Sequence, residues 1–361
     1  MAFLLRNLGD GGAERSSLRL ANALARDGMT VTLFLFSKKG PMLAEVEPGV
    51  EIVDLGGSFL RLLKRLHSTK IDFLMPIYMS TSALLAKILL RAPWHVVLSQ
   101  RNMFTMDRGP IQTRLRFLRC RLLFPFASAC VCISRGVADE MRSLGLMSEE
   151  KVRLIYNSAI TDKLFLDMEE PTKHPWFDEG APPVILGVGR LGSQKDFSTM
   201  IRAFALLIQR RQELSKPEPR LVILGDGKER AALEKLVREH KLEERVSMPG
   251  YVPNPYPYMK RAALVAVTSR FEGFCLVVAE ALACGCTVAS TDCQSGPGEI
   301  LDDGQYGYLA RVGDVEDVAR AMEEALSNPL PPEDLKKRAR IFSDQNAVEE
   351  YKKLFQELSD A

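Results

Sequence analysis

The sequence has 361 residues, 46% hydrophobic and 26% charged, and its 48 Lys and Arg against 46 Asp and Glu leave a formal net charge of +2. That composition excludes a disordered tail, a collagen and a coiled coil, and the length suits two soluble domains with a core each. The balance is uneven: residues 1–165 carry +9 and residues 166–361 carry −7, which suggests different partners for the two halves.

In chain order, apolar residues 2–5 read as a strand that breaks at Gly9-Asp10-Gly11-Gly12. Leu18, Leu20, Ala21, Leu24 and Ala25 then recur at helical spacing until Asp27-Gly28. Strand-like stretches at 30–36, 50–55, 72–77, 95–98 and 129–133 alternate with helix-like 59–66, 81–90, 113–124 and 136–144. Short apolar runs between helices predict a parallel sheet covered on both faces. Residues 162–183 hold no period and contain Pro171, Pro175, Pro182 and Pro183, so they read as a linker. The alternation restarts with strands at 184–188, 221–224, 246–248, 264–267 and 287–290, helices at 199–209, 229–240 and 276–284, and three charged helices at 315–326, 332–341 and 345–358. The prediction is an α/β chain of two doubly wound domains, 1–165 and 166–345, with a helix at 346–361 returning to the first. Ligands bind such sheets at the carboxyl ends of the strands, and a cleft between two such ends is available.

Three stretches carry chemistry. Gly9 to Glu14 lies between the first strand and first helix, where backbone N–H groups can hold an anion; a plain tight turn reads the same way. Gly187-Val-Gly-Arg190-Leu-Gly-Ser-Gln-Lys195-Asp196 is the matching turn of the second domain and adds two cations, suited to a diphosphate leaving group. The competing reading is a surface ion pair of Lys195 with Asp196. Leu224-Gly225-Asp226-Gly227 says only that the chain bends. In the segment 268–282, Glu272 precedes a helix that opens near Phe274, and Glu280 lies on that helix among Val277, Val278, Ala281 and Leu282. Two carboxylates eight residues apart could accept hydrogen bonds from two hydroxyl-rich parts of one elongated ligand, and beside a phosphate site they should face neutral sugars. The competing reading of Glu280 as an exposed helix charge stands against the cost of an unpaired carboxylate in that apolar setting.

These stretches, with Gly11-Gly-Ala-Glu-Arg15, Pro249-Gly-Tyr-Val-Pro-Asn254, Tyr256-Pro-Tyr258, Ser290-Thr-Asp-Cys293 and Ser295-Gly-Pro-Gly-Glu-Ile-Leu301, resemble the retaining glycosyltransferases of family 4, and in particular bacterial enzymes of surface-polysaccharide and lipid-linked glycan synthesis. The resemblance implies a GT-B fold of two facing Rossmann-like domains with a donor cleft between them. It implies that Arg190 and Lys195 bind the diphosphate, that amides around Gly273, Phe274, Cys275 and Leu276 bind its distal part, that Glu272 holds the transferred hexose and Glu280 the ribose, and that the backbone of Gly250, Tyr251 and Val252 receives the base. It makes Arg190, Lys195 and Glu272 the catalytic group, adds Gly12 to the donor side, and assigns Glu14, Arg101 and Asn102 to the acceptor side. Many relatives carry a His where this chain has Gln100-Arg101-Asn102. No metal and no cofactor is implied beyond the nucleotide-diphosphate sugar, a UDP-sugar, as co-substrate. The implied reaction is same-face transfer of a hexose or N-acetylhexosamine to a lipid-linked or envelope glycan, with no protein base. The alternative is a nucleotide-sugar-binding protein of the same fold with epimerase-like chemistry or none.

The basic half has its own texture. Between residues 73 and 138 the only acid is Asp107, against Lys87, Arg91, Arg101, Arg108, Arg114, Arg116, Arg119, Arg121 and Arg135. Residues 111–124 interleave arginines with Leu115, Phe117, Leu118, Leu122 and Phe124, as would a helix lying on an anionic bilayer or a core-facing helix with a solvated basic face. No nucleic-acid motif accompanies the patch. Seven cysteines, Cys120, Cys130, Cys132, Cys275, Cys284, Cys286 and Cys293, lack any Cys-x-x-Cys pair and sit mostly in apolar runs, which predicts buried thiols in a reducing compartment. No apolar run is long enough to span a membrane, and residues 1–5 are too short for a signal peptide. A cytoplasmic location, peripheral to the inner membrane face, is the expectation.

Overall fold

The first strand buries Phe3 and Leu5 in one apolar layer and Ala2 and Leu4 in another, because successive side chains point to opposite faces and both faces of this sheet are covered. The computed structural model describes residues 1–9, 11–104 and 110–360; Asp10 of the first turn and Asp107 and Arg108 of the basic stretch lie outside the described residues. The chain forms two compact units, residues 1–159 with 342–361, and residues 160–341.

In the first unit β1 (Ala2–Leu5), α1 (Gly12–Arg26), β2 (Val31–Leu35), β3 (Val50–Asp54), α2 (Phe59–Ser68), β4 (Phe73–Pro76), α3 (Ser80–Leu90), β5 (His95–Gln100), α4 (Pro110–Leu123), β6 (Ala129–Cys132), α5 (Arg135–Ser143) and β7 (Val152–Leu154) follow one another. The strands form one parallel sheet in the order β3-β2-β1-β4-β5-β6-β7. The order reverses between β1 and β4, so the loops after these two strands flank the crevice where doubly wound sheets bind ligands.

The second unit starts with α6 (Asp162–Asp167). It continues through β8 (Val184–Val188), α7 (Phe197–Glu213), β9 (Arg220–Leu224), α8 (Arg230–Glu239), β10 (Val246–Gly250), α9 (Tyr256–Arg261), β11 (Leu264–Val267), α10 (Leu276–Ala283), β12 (Val288–Thr291), α11 (Pro297–Ile300), β13 (Tyr308–Ala310), α12 (Val315–Ser327) and α13 (Pro332–Ala339). Its parallel sheet runs β10-β9-β8-β11-β12-β13, with the reversal between β8 and β11.

The last helix, α14 (Asp344–Asp360), belongs to the first unit. It lays Tyr351, Leu354 and Phe355 into the layer shared with α1, and Phe355 stacks on Phe73 at 4.4 Å between ring centres. The Ala159 N–H donates to the Phe342 carbonyl at 3.0 Å, so the two points at which the chain changes unit are adjacent.

The stretch read as a linker, 162–183, is packed onto the second unit. Asn254 Nδ2 donates to the Asp167 carbonyl at 2.9 Å, the Lys173 N–H to the Tyr258 hydroxyl at 3.2 Å, and His174 Nε2 lies 2.9 Å from Ser247 Oγ. Its prolines leave it only the short helix α6 at its start and a single helical turn at Pro175–Phe177, but hydrogen bonds and the contact of the Arg220 guanidinium with Trp176 anchor it all the same.

Candidate functional site

The site of the second unit is assembled from turns at the C-terminal ends of β8, β9, β10 and β11. After β8 the chain passes through Gly189, whose N–H donates to the Leu224 carbonyl at 2.9 Å, while the Leu191 N–H donates to the Asp226 carbonyl at 2.9 Å. Side chains at 225 and 227 would collide with this turn: a Cβ on Gly225 would lie 1.9 Å from the Gly189 oxygen, and one on Gly227 2.4 Å from the Leu191 oxygen. The Gly225–Gly227 glycines, which in the sequence say only that the chain bends, are therefore what let the β9 turn brace the β8 turn.

Arg190 is exposed at this edge. Lys195 is not paired with its neighbour Asp196. Its Nζ donates to Glu272 Oε1 at 2.6 Å, and both side chains are largely withdrawn from solvent. Burial alone would lower the Lys195 pKa; the Glu272 charge outweighs it and holds the ammonium well above its ordinary range. Asp196 sits at φ 47° as the N-cap of α7. It accepts hydrogen bonds from Ser198 Oγ at 2.7 Å, Thr199 Oγ1 at 2.9 Å and Arg270 Nε at 3.0 Å. Burial works to raise its pKa, but these hydrogen bonds carry it below the usual carboxylate value.

The loop after β11 is tied to that turn. Thr268 Oγ1 donates to the carbonyls of Lys195 at 2.9 Å and Asp196 at 3.0 Å, and Gln194 Nε2 to the Phe271 carbonyl at 3.0 Å. Ser269 Oγ donates to Glu272 Oε1 at 2.7 Å, so Glu272 is buried with two donors on one oxygen. Gly273, Phe274 and Cys275 are buried, and Cys275 turns the chain at φ 73° into α10, whose first residue is Leu276. The helix therefore opens where the 276–284 segment is expected to begin, two residues after Phe274. The first-turn amides of a helix have no intrahelical acceptor and point outward at its N-terminus. Burial pushes the Cys293 thiol up to about 12, reinforced by the Glu272 charge, and pushes Cys275 up for the same two reasons; neither is a thiolate nucleophile.

Glu280 is buried on α10 and accepts from the Tyr256 hydroxyl at 3.2 Å, which settles against an exposed helix charge. Tyr256 opens α9 just beyond Gly250, Tyr251 and Val252. Gly250, at φ 98°, accepts from the Gly225 N–H at 2.8 Å. Sequence reasoning missed Ser269 and Thr268 as supports, and it quoted Tyr256 without a role. Only contacts across the fold identify them.

In the first unit Gly12 and Glu14 form the first turn of α1. Arg101, expected to face a ligand, is turned inward. Its Nε donates to Ser99 Oγ at 2.7 Å, and its terminal nitrogens to Ser16 Oγ at 2.7 Å, Asn157 Oδ1 at 2.6 Å and Ser17 Oγ at 3.0 Å. Burial lowers its pKa; four neutral oxygens around a guanidinium hold it as a clamp between β5, α1 and the 157 segment. Asn102 stays exposed.

The basic helix α4 buries Cys120 and half-buries Arg116 and Phe117. Arg116 donates to the Phe104 carbonyl at 2.8 Å and stacks over the Phe104 ring. The helix leaves Leu115 65%, Leu118 58% and Leu122 65% exposed beside exposed Arg114, Arg119 and Arg121. No helix among the described residues is long and apolar enough to cross a membrane. All seven cysteines are buried.

Two sequence models of known families match the chain, one described as Glycosyltransferase Family 4 over residues 10–163 and one as Glycosyl transferases group 1 over residues 169–342. The chain is 34% identical to the Campylobacter jejuni N-acetylgalactosamine-N,N'-diacetylbacillosaminyl-diphospho-undecaprenol 4-alpha-N-acetylgalactosaminyltransferase, over 60% of this chain and 54% of that one, so the match spans about half of that relative. It is 27% identical to the Rhizobium meliloti lipopolysaccharide core biosynthesis glycosyltransferase LpsE over 88% of this chain and 86% of that one. Among solved structures, Anabaena HepE in complex with UDP-glucose superposes with a TM-score of 0.81 at 20% identity, over 99% of both chains.

Proposed function

The chain belongs to the family 4 and group 1 glycosyltransferases, with the GT-B fold of two Rossmann-like domains, and from that premise we propose a retaining, metal-independent transferase. It moves a hexose or N-acetylhexosamine from a UDP-sugar to a lipid-linked or envelope glycan acceptor. The observation that carries this reading is the buried 2.6 Å pair of Lys195 and Glu272, set beside the first turn of α10 and at the switch point of its sheet.

When a donor enters, the diphosphate competes for Lys195 Nζ, and Arg190 at the same edge adds a second positive charge. The distal phosphate meets the N-terminus of α10. Glu272, still held by Ser269, is released to accept hydroxyls of the transferred sugar. Glu280, oriented by Tyr256, takes the ribose hydroxyls, and the backbone at 250–252 the base. As the sugar C–O bond to phosphate lengthens, negative charge grows on the leaving oxygen where the two cations are already placed. The acceptor oxygen bonds to the anomeric carbon on the same face, and its proton passes to the departing phosphate, so no protein base takes part.

The test is turnover of UDP-sugars by the purified chain with short lipid-linked acceptors. Lys195→Ala and Glu272→Ala are each expected to lower kcat/KM by roughly 100-fold or more with circular dichroism unchanged; full activity in both overturns the assignment. The product anomer, read by NMR, is expected to match the donor's, and EDTA to leave the rate unchanged.

The exposed leucines and arginines of α4 support a working position against an anionic membrane at the cytoplasmic face. Vesicles containing phosphatidylglycerol are expected to sediment the chain, and vesicles of phosphatidylcholine alone are not. Replacing Leu115, Leu118 and Leu122 together by Ser is expected to abolish the sedimentation.

A further inference from the structure

Among the described residues, eight other than glycine have positive φ: Tyr78, Arg91, Asp196, Ser215, Lys241, Cys275, Asp302 and Asp303. Arg91, Ser215, Lys241, Asp302 and Asp303 follow the ends of α3, α7, α8 and α11, where left-handed residues commonly close helices. The other three lie in turns that lead from a strand into a helix. Asp196 and Cys275 do so in the second unit, on either side of the Lys195–Glu272 pair. Tyr78 does so in the first unit, between β4 and α3.

Tyr78 differs from those two in what it does with its side chain. Asp196 and Cys275 are 2% and 4% exposed, whereas Tyr78, at φ 60°, is 61% exposed. A bulky side chain in the left-handed region is an outlier, and a glycine would relieve it. This backbone is held by the sheet: the Ile77 N–H donates to the Leu4 carbonyl at 2.8 Å, and Ile77 bridges Ser99. The strain therefore supports an aromatic ring held open to solvent just past β4. Across the switch point, in the first turn of the helix that follows β1, stands Glu14, whose carboxylate folds back over Gly11. Burial of the hydroxyl end raises the Tyr78 pKa first of all, and the Arg101 charge, the Glu14 charge and a hydrogen bond with Asn102 act on it too, so the phenol oxygen sits among these three side chains while much of the ring stays exposed. An exposed aromatic face beside a carboxylate and an amide matches a pyranose, whose C–H face stacks on a ring while its hydroxyls seek hydrogen bonds.

We propose that Tyr78 selects the acceptor by providing the stacking platform for its saccharide, with Glu14 and Asn102 taking hydroxyls and buried Arg101 acting as a positioning residue behind them. This rests on the reading of the chain as a transferase to a glycan. Its test is separate from turnover. Saturation-transfer NMR is recorded on the full chain with octyl N-acetylgalactosaminide, octyl glucoside and, as an independent ligand, UDP.

The expected result is transfer to at least one octyl glycoside in the unmodified chain, kept in Tyr78→Phe and lost in both Tyr78→Ala and Tyr78→Gly, while the UDP signal persists in all. Tyr78→Gly removes the ring and the backbone strain together, so its loss of glycoside binding cannot be blamed on misfolding when its melting temperature is at or above that of the unmodified chain. In turnover, the acceptor KM is expected to rise roughly tenfold in Tyr78→Gly, with the donor KM unchanged. Equal glycoside signals with and without the ring overturn the proposal, as does their absence from the unmodified chain. Loss of UDP binding or of all transfer in the unmodified chain would instead overturn the transferase reading.

Discussion

Asp196 shows how much a single side chain can settle that its neighbours in sequence do not disclose. Read alone, Lys195-Asp196 permits an ion pair between adjacent residues. In the fold Lys195 reaches Glu272, 77 positions away, and Asp196 caps α7 and holds Arg270. Because the Asp196 carboxyl is held below its ordinary value, its contribution is fully present above about pH 4 and is lost as the pH falls through the folded-state pKa. Asp196→Asn keeps a capping oxygen and tolerates the left-handed backbone; urea denaturation between pH 3 and 7 is expected to show a flatter acid limb for this variant. Asp196→Ala is expected to cost about 1–2 kcal/mol at pH 7. Tyr256→Phe removes the hydroxyl that orients Glu280 and is expected to raise the donor KM several-fold with little change in kcat. An equal fall in kcat alone would assign Tyr256 to the chemical step instead.

At the scale of elements, the long apolar strands were legible because both faces of each sheet are covered, which leaves runs such as Val31–Leu35 wholly buried. The three-residue edge strands β7 and β13 were not, nor were α6, α9 and α11, each six residues or shorter. Segments that short carry no period to read. Helix α10 was legible as a helix, but its apolar sequence says nothing of the hydroxyl that lets it carry a buried Glu280. The C-terminal helix is amphipathic in sequence, yet only the structure shows what its apolar stripe covers. Phe355→Ala deletes a ring stacked on Phe73 and is expected to destabilise the first unit by roughly 3–5 kcal/mol. Denaturation followed by the fluorescence of Trp94, a buried residue of that unit, measures it.

At the scale of the whole molecule, every group assigned to the donor lies within residues 160–341, apart from Gly12. Saturating UDP is therefore expected to slow amide hydrogen exchange chiefly in that unit, by about 2.7 kcal/mol of local stability at a hundred times Kd. Protection concentrated in residues 1–159 would contradict the donor assignment. The net charge of +2 conceals a basic first half, and the exposed arginines of α4 are where that charge meets solvent beside uncovered leucines. The sequence by itself determined two parallel α/β sheets, the turns that bear glycines and cations, and the Glu272 and Glu280 pair, because these depend on local period and residue type. Only the tertiary structure decided that Lys195 pairs with Glu272, that Arg101 faces inward, that 162–183 is anchored, and that Tyr78 stands open at a strained turn. Each of those depends on which oxygen, ring or backbone carbonyl the fold brings within a few ångströms, and distance along the chain does not encode that.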